Sequence, residues 1–415
     1  MKNKMIRLTI VMLGFLMITG FGHETGSGVI GSYATEIASI SVPENVKVVG
    51  LGEATHGNVE FQVQKLEVFK ALVNNNGCRV FAIEGDFGGC RKVNEYISGA
   101  EGTVQDAIKE IGFEMYQTKE MAELIEWMRE YNQKSQEKDR LRFYGFDMQR
   151  YDNNKEYLFK YLERVNPDMI TQYQLLLSDL NDDTVYTQNK ELIKKSLENI
   201  NLLIAEMQSN KESYVKISSE DEFSLALEFA ESIKENAVMQ NSGSNYSQIR
   251  DKYMSQKIKW ISEYEDGKMI FITGHNGHVE KSLLYRTYTS MGKYLDDEFE
   301  DDYYAIGTDF GNNTFRAYTP NGSVKNFNIT NKNELIESFA SLSGNEYFMD
   351  FEAAKADAGL KSVIENSQAM GNVGAQFSDW QTLSKKFYTI NMIPGKAYDG
   401  IIVVKEATPT IIERK

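Results

Sequence analysis

Residues 46–57 read VKVVGLGEATHG and residues 78–91 read CRVFAIEGDFGGCR. Between them, Phe61, Leu66, Phe69, Leu72 and Val73 recur near helical spacing, and Asn74 to Gly77 (NNNG) supplies a stop. The β-branched run Val46 to Leu51, the helix Val59 to Val73 and the apolar run Val80 to Ile83 together make a βαβ unit. That unit predicts a parallel sheet whose functional loops leave the C-terminal strand ends.

Working outward, Leu141 to Phe146 (LRFYGF) and Met269 to Thr273 (MIFIT) read as further central strands. Short runs at Tyr304 to Ile306, Tyr347 to Met349 and Ile401 to Val404 add more. Between about 151 and 267 the chain is rich in Leu, Ile, Glu, Lys, Asn and Gln, with long stretches free of Pro and Gly, so this segment reads as an inserted all-helical cap. Its helices either bury only their own apolar stripes or form a lid over a cleft. The expected fold is therefore α/β, with a largely parallel central sheet flanked by helices and a helical insertion.

The composition fits that reading. The 415 residues are 41% hydrophobic and 25% charged with only 5 Pro, which suits a large folded core and excludes collagenous, disordered or disulfide-stapled chains. A net charge of −15 repels phosphate backbones and anionic lipid headgroups, so nucleic acid is not an expected partner. At the N-terminus, Lys2, Lys4 and Arg7 precede an apolar run from Leu8 to about Phe21. Residues 1–25 are expected to be a signal peptide or N-terminal anchor, with 26–415 forming one α/β domain, secreted or held at the cell surface. The run is shorter than the roughly 18 to 20 residues of a spanning helix, so the leader is the only expected membrane contact. Cys78 and Cys90 lie outside any CxxC pattern and are read either as one bridge or as two buried thiols.

Only four histidines occur, His23, His56, His275 and His278, and three of them sit at strand exits. In GEATHG, Glu53 lies three residues before His56, close enough for the carboxylate to fix the imidazole tautomer. In GHNGHV, His275 and His278 are also three apart, and Asn276 is placed to cap a following helix. Glu84 ends the second strand, where a carboxylate must be paired; His56, Arg91 and the two later histidines are the candidate partners. Asp86 reads as a turn or cap residue, and Asp147 as a site carboxylate or a cap. No GxSxG elbow, phosphate loop, HExxH or paired CxxC is present. A histidine base acting on water is the chemistry these residues support.

The ordered set GEATHG, Glu60–Phe61, VFAIEGDF, FYGFDMQ and GHNGHV, with the ending DGIIVVKEATPT, resembles the erythromycin esterase family over about Val46 to Val404. The resemblance implies a hydrolase of an ester or lactone with a small-molecule substrate, and it raises macrolide resistance as one use. It places His56 on the family's essential histidine, Glu53 and Glu84 on its carboxylates, and His275 and His278 on its later pair, all five expected to be catalytic. Where many members carry Arg, this chain has Lys65, which keeps the charge and loses the planar fork. Lys65, Arg91, Asp147 and Asn276 are the expected substrate contacts. No cofactor is expected. The alternatives are a metal-dependent hydrolase using the same Glu/His cluster with Zn²⁺ or Mn²⁺, and a non-catalytic exported protein of this fold that binds a ligand or haem.

Overall fold

The computed structural model describes residues 30–283 and 288–412. The expected leader and His23 lie outside them. After a two-residue strand, β1 (Ala34–Thr35), the opening unit forms as β2 (Val48–Glu53), α1 (Val59–Asn75) and β3 (Val80–Asp86). Helix α2 (Phe87–Ile97) and helix α3 (Lys119–Lys134) lead to β4 (Arg142–Asp147). A long helical stretch then runs to β5 (Ile270–His275). The remaining strands are β6 (Tyr303–Tyr318), β7 (Val324–Thr330), β8 (Glu346–Asp350), β9 (Gln368–Gly371), β10 (Thr389–Met392) and β11 (Gly400–Ala407).

The main sheet has the order β1-β8-β11-β6-β2-β5-β3-β4, with β7 attached to β6. Six adjacent strands, β11 to β4, run parallel, and β1, β7 and β8 pair antiparallel at the margins. Strands β2 and β3 are buried along their whole length, as expected where helices cover both faces. Alternation sorts their side chains. Val49, Leu51, Phe81, Ile83 and Phe271 pack with Leu66, Phe69 and Leu72 of α1 on one face. Val48, Val80, Ala82, Ile270 and Ile272 fill the other. Each fully buried Val, Ile, Leu or Phe contributes roughly 1.5–3 kcal/mol. Cys78 and Cys90 are two free, buried thiols.

The helical stretch includes α4 (Asp152–Val165), α5 (Lys190–Ser209), α6 (Glu220–Asn241) and α7 (Tyr246–Tyr264). Leu158, Leu162, Ile200, Leu203, Phe229 and Ile233 give α4, α5 and α6 a core of their own. Helix α7 faces two ways: its Trp260 packs against this core and its Lys257 pairs with Glu228 and Glu235 of α6. Its stripe of Met254, Ile258 and Ile261 packs on the sheet, so the segment read as a single cap ends in a crossover helix.

Strand β6 is much longer than the three residues expected. Its first part pairs with β2 and β11 inside the sheet, and from Asn312 to Tyr318 it pairs with β7 as a hairpin. Gly322, at a φ of 81°, supplies the left-handed turn residue. Among the described residues no helix is long and apolar enough to cross a membrane.

Candidate functional site

Strand β5 lies between β2 and β3, so the three polar strand exits are neighbours. Glu53 stands opposite His275, and Gly52 opposite Gly274. A Cβ on Gly52 would come within 2.2 Å of Asn276 Oδ1, so only glycine allows this close approach of β2 to the start of α8 (Asn276–Val279).

The first network is built on Glu53, which is buried. Its Oε1 lies 2.7 Å from His56 Nδ1, and its Oε2 accepts from Lys65 Nζ at 2.5 Å and Gln62 Nε2 at 3.3 Å. Gln62 and Lys65 are three apart on α1, which puts both on the face turned to this carboxylate. Tyr116 reaches Glu53 Oε1 at 3.5 Å. Burial alone would raise the Glu53 carboxyl, but Lys65 and His56 outweigh it and hold it at about 2. Burial lowers the Lys65 ammonium against the pull of Glu53. His56 is the exposed edge of this group. Glu53 holds its Nδ1, and Nε2 meets no protein partner among the described residues.

The second network gathers around Arg250 of α7. Its guanidinium donates to Glu84 Oε1 at 2.7 Å and to Asp147 Oδ2 at 2.5 Å, with Nε also 3.2 Å from Asp147 Oδ2. Glu84 Oε2 accepts the His275 backbone N–H at 2.9 Å. His278 lies with Nδ1 2.6 Å from Asp251 Oδ1 and Nε2 between Glu84 Oε1 at 3.3 Å and Arg250 Nη1 at 3.2 Å. Burial disfavours the His278 cation, yet Asp251 and Glu84 push its pKa up to about 10. Glu84 is held well below the usual carboxylate range because His278 and Arg250 overcome the cost of burial.

His275 lies between the two networks, its ring 5.3 Å from that of His56 and 6.4 Å from that of His278. Burial first, then the two neighbouring histidines, lower its pKa to about 3. The ring is neutral. Nδ1 accepts from Gly277 N at 3.2 Å, which leaves the proton on Nε2, 3.1 Å from the carbonyl of Val373.

The structure therefore brings together Glu53, His56, Lys65, Glu84, Asp147, His275 and His278. Arg91 is elsewhere, half-exposed on α2 and paired with Glu95 at 3.3 Å, because its helix position turns it outward. Glu84 takes its guanidinium from Arg250 instead. Asn276 is present but buried, clamping Thr308 through Nδ2 at 2.8 Å and Oδ1 at 3.2 Å, and the cap expected of it is supplied by His275. Asp147 holds Arg250. Asp86 caps α2 by accepting from Gly89 N at 2.6 Å. Sequence reasoning missed Arg250, Asp251, Gln62 and Tyr116; the one available signal was that two strand-end carboxylates, Glu84 and Asp147, require a buried cation.

The same side chains do not fit a metal ion. Both oxygens of Glu53 and of Glu84 face basic groups or N–H donors, and both nitrogens of His275 are committed. Among the described residues no group of three or more His, Cys, Asp or Glu is arranged to hold a metal.

The erythromycin esterase family model matches residues 73–407. The chain is 22% identical over 396 residues to YbfO of Bacillus subtilis (strain 168), which carries a hydrolase name, covering 88% of this chain and 85% of that one. It is 25% identical over 319 residues to erythromycin esterase type II of Escherichia coli, covering 69% and 74%. A Bacillus cereus protein of known crystal structure superposes with a TM-score of 0.80 at 21% identity, covering 94% of this chain and 98% of that one. A histidine variant of the erythromycin esterase EreC in its open conformation gives 0.67 at 16% identity, covering 88% and 92%. The chain belongs to the erythromycin esterase family, a family of hydrolases.

Proposed function

We propose that this protein hydrolyses an ester or lactone with His56 as general base. The observation that carries the reading is the Glu53–His56 pair at 2.7 Å, which fixes Nδ1 and leaves Nε2 free to take a proton from water. Glu53, kept ionised by Lys65, stabilises the imidazolium that forms. Hydroxide attacks the carbonyl carbon and the carbonyl oxygen becomes an oxyanion. The tetrahedral intermediate then expels the alkoxide, which recovers the proton from His56 Nε2, leaving acid and alcohol.

The division of roles among the later histidines follows from their charge. His278, whose pKa Asp251 and Glu84 push up to about 10, belongs to the charge network of Arg250, Glu84 and Asp147 and holds that network in place. His275, at about 3, is a neutral spacer that cannot act as a cationic acid at neutral pH.

The test is a panel of lactones and simple esters assayed with wild type and His56→Ala in parallel. The expected result is a loss of about 10²- to 10⁴-fold in turnover with a melting temperature nearly unchanged. Full activity in His56→Ala overturns the mechanism.

A further inference from the structure

A cavity of about 530 Å³ is walled by residues whose neighbours in the chain contact the Glu53–His56 loop, although neither Glu53 nor His56 lines it. Two segments that form its walls are tied to that loop. Glu114 begins the short 3₁₀ turn that ends at Tyr116, the residue that reaches Glu53. On the other side, Arg316 N donates to Gly57 O at 3.0 Å, and Tyr318 follows two residues later along β6. Tyr318 and Glu114 meet, hydroxyl to Oε2, at 2.5 Å.

The lining is unusual for a small-molecule site, which is normally mostly apolar with a few polar groups. Here charged side chains of both signs, Lys109, Glu110, Glu114, Arg150 and Asp182, dominate, joined by the amides of Gln117 and Asn153. The apolar contribution is two aromatic rings, Phe113 and Tyr318. An apolar ligand entering this cavity would strip water from charged groups and return no hydrogen bonds. A ligand carrying many hydroxyls replaces that water group for group, since each hydroxyl both donates to a carboxylate and accepts from an amide or cation. The aromatic rings can lie against the C–H face of a sugar ring. A polyanionic ligand is disfavoured by the lining carboxylates and by the chain's net charge of −15.

We propose that this cavity is a saccharide subsite and that the ester cleaved at His56 belongs to an O-acylated saccharide. The proposal rests on the ester-hydrolysis reading above. The saccharide carbons and free hydroxyls occupy the cavity, the acyl carbonyl lies at His56, and hydrolysis releases the carboxylic acid and the freed sugar hydroxyl.

The experiment uses the full chain with three probes: a partially O-acetylated xylo-oligosaccharide, phenyl acetate and a macrolactone. Wild type should show kcat/KM for the oligosaccharide at least about tenfold above the other two. Replacing two lining side chains together, Lys109→Ala and Gln117→Ala, should raise KM for it several-fold with little change in kcat. His56→Ala should bind the oligosaccharide in calorimetry and fail to cleave it. If phenyl acetate or the macrolactone is preferred and its cleavage needs His56, the saccharide proposal is overturned and the hydrolase reading survives. If no ester is cleaved but the oligosaccharide binds, and binds more weakly to the double variant, the subsite stands and the hydrolase reading falls. Absence of both binding and cleavage overturns both.

Discussion

Two imidazoles, His56 and His278, stand at neighbouring strand exits, each beside a buried carboxylate, and the structure gives them different surroundings. His56 has one nitrogen on Glu53 and the other unpartnered among the described residues. His278 has Asp251 at Nδ1, and both Glu84 and the Arg250 guanidinium at Nε2. One carboxylate orients the ring and leaves the other nitrogen open, the arrangement on which the proposed base role of His56 rests. Two carboxylates favour the protonated ring, because each attracts the imidazolium and not the neutral imidazole. What separates the two rings is thus whether a nitrogen stays open or both meet charged groups, and the position of the histidine at a strand end does not decide it.

The greatest loss should come from the network that locks His278. Arg250 is the guanidinium between Glu84 and Asp147, whose side chains are 8% and 0% exposed. Arg250→Met leaves both carboxylates buried without it, a change worth about 3–5 kcal/mol against a total stability of roughly 5–15 kcal/mol. Arg250→Lys keeps the charge without the fork and should fall between. Arg91→Met, which breaks a solvent-exposed pair with Glu95, should cost under about 0.5 kcal/mol. Chemical denaturation of the three variants checks this ordering. A loss at Arg250 no larger than that at Arg91 would remove the network from the account.

The network around His56 should respond differently, in activity more than in folding. Glu53→Gln removes the group that orients the imidazole and leaves Lys65 buried beside a neutral amide. Turnover should drop by about 10²-fold or more, with a moderate loss of stability. Adding Lys65→Met removes the stranded charge, so the double variant should regain stability and remain inactive. Recovery of turnover in the double variant would show that Glu53 balances Lys65 and does not orient His56.

The parts of this molecule that were legible in the sequence are those whose signal is local. The runs ending in Glu53, Glu84, Asp147 and His275 announce strands because β-branched and aromatic residues recur where both faces are buried. The polar exits were readable for the same reason. The order of strands was not, because nothing within β2 or β3 records that β5, almost two hundred residues later, inserts between them. Arg250 was hidden by the same distance: in YSQIRDKY it looks like one more solvated charge, and only the unmet charge of Glu84 and Asp147 asks for it. Asn276 misled because its place after a strand resembles a cap, while the close approach of Gly52 turns its amide toward Thr308. The β6–β7 hairpin was missed although Asn321–Gly322 is a turn signal, because the apolar run before it is short and its alternation begins only after Phe310.

The smallest expected effect isolates the His278 cation itself. Its pKa of about 10 in the folded protein lies above the ordinary value of 6.5, so the folded state binds the proton more tightly than the unfolded chain. By linkage, the stability this contributes is fully present below about pH 6.5 and is lost as pH rises toward 10. His278→Gln removes the titrating group and leaves the other ionisable residues in place, so subtracting the two melting curves cancels what they share. Wild type should exceed the variant most at pH 6, less at pH 8 and least at pH 10. A wild-type advantage over His278→Gln that stays constant from pH 6 to pH 10 would mean that Asp251 and Glu84 do not hold an imidazolium, and the contrast between the two histidines would then have to rest on packing alone.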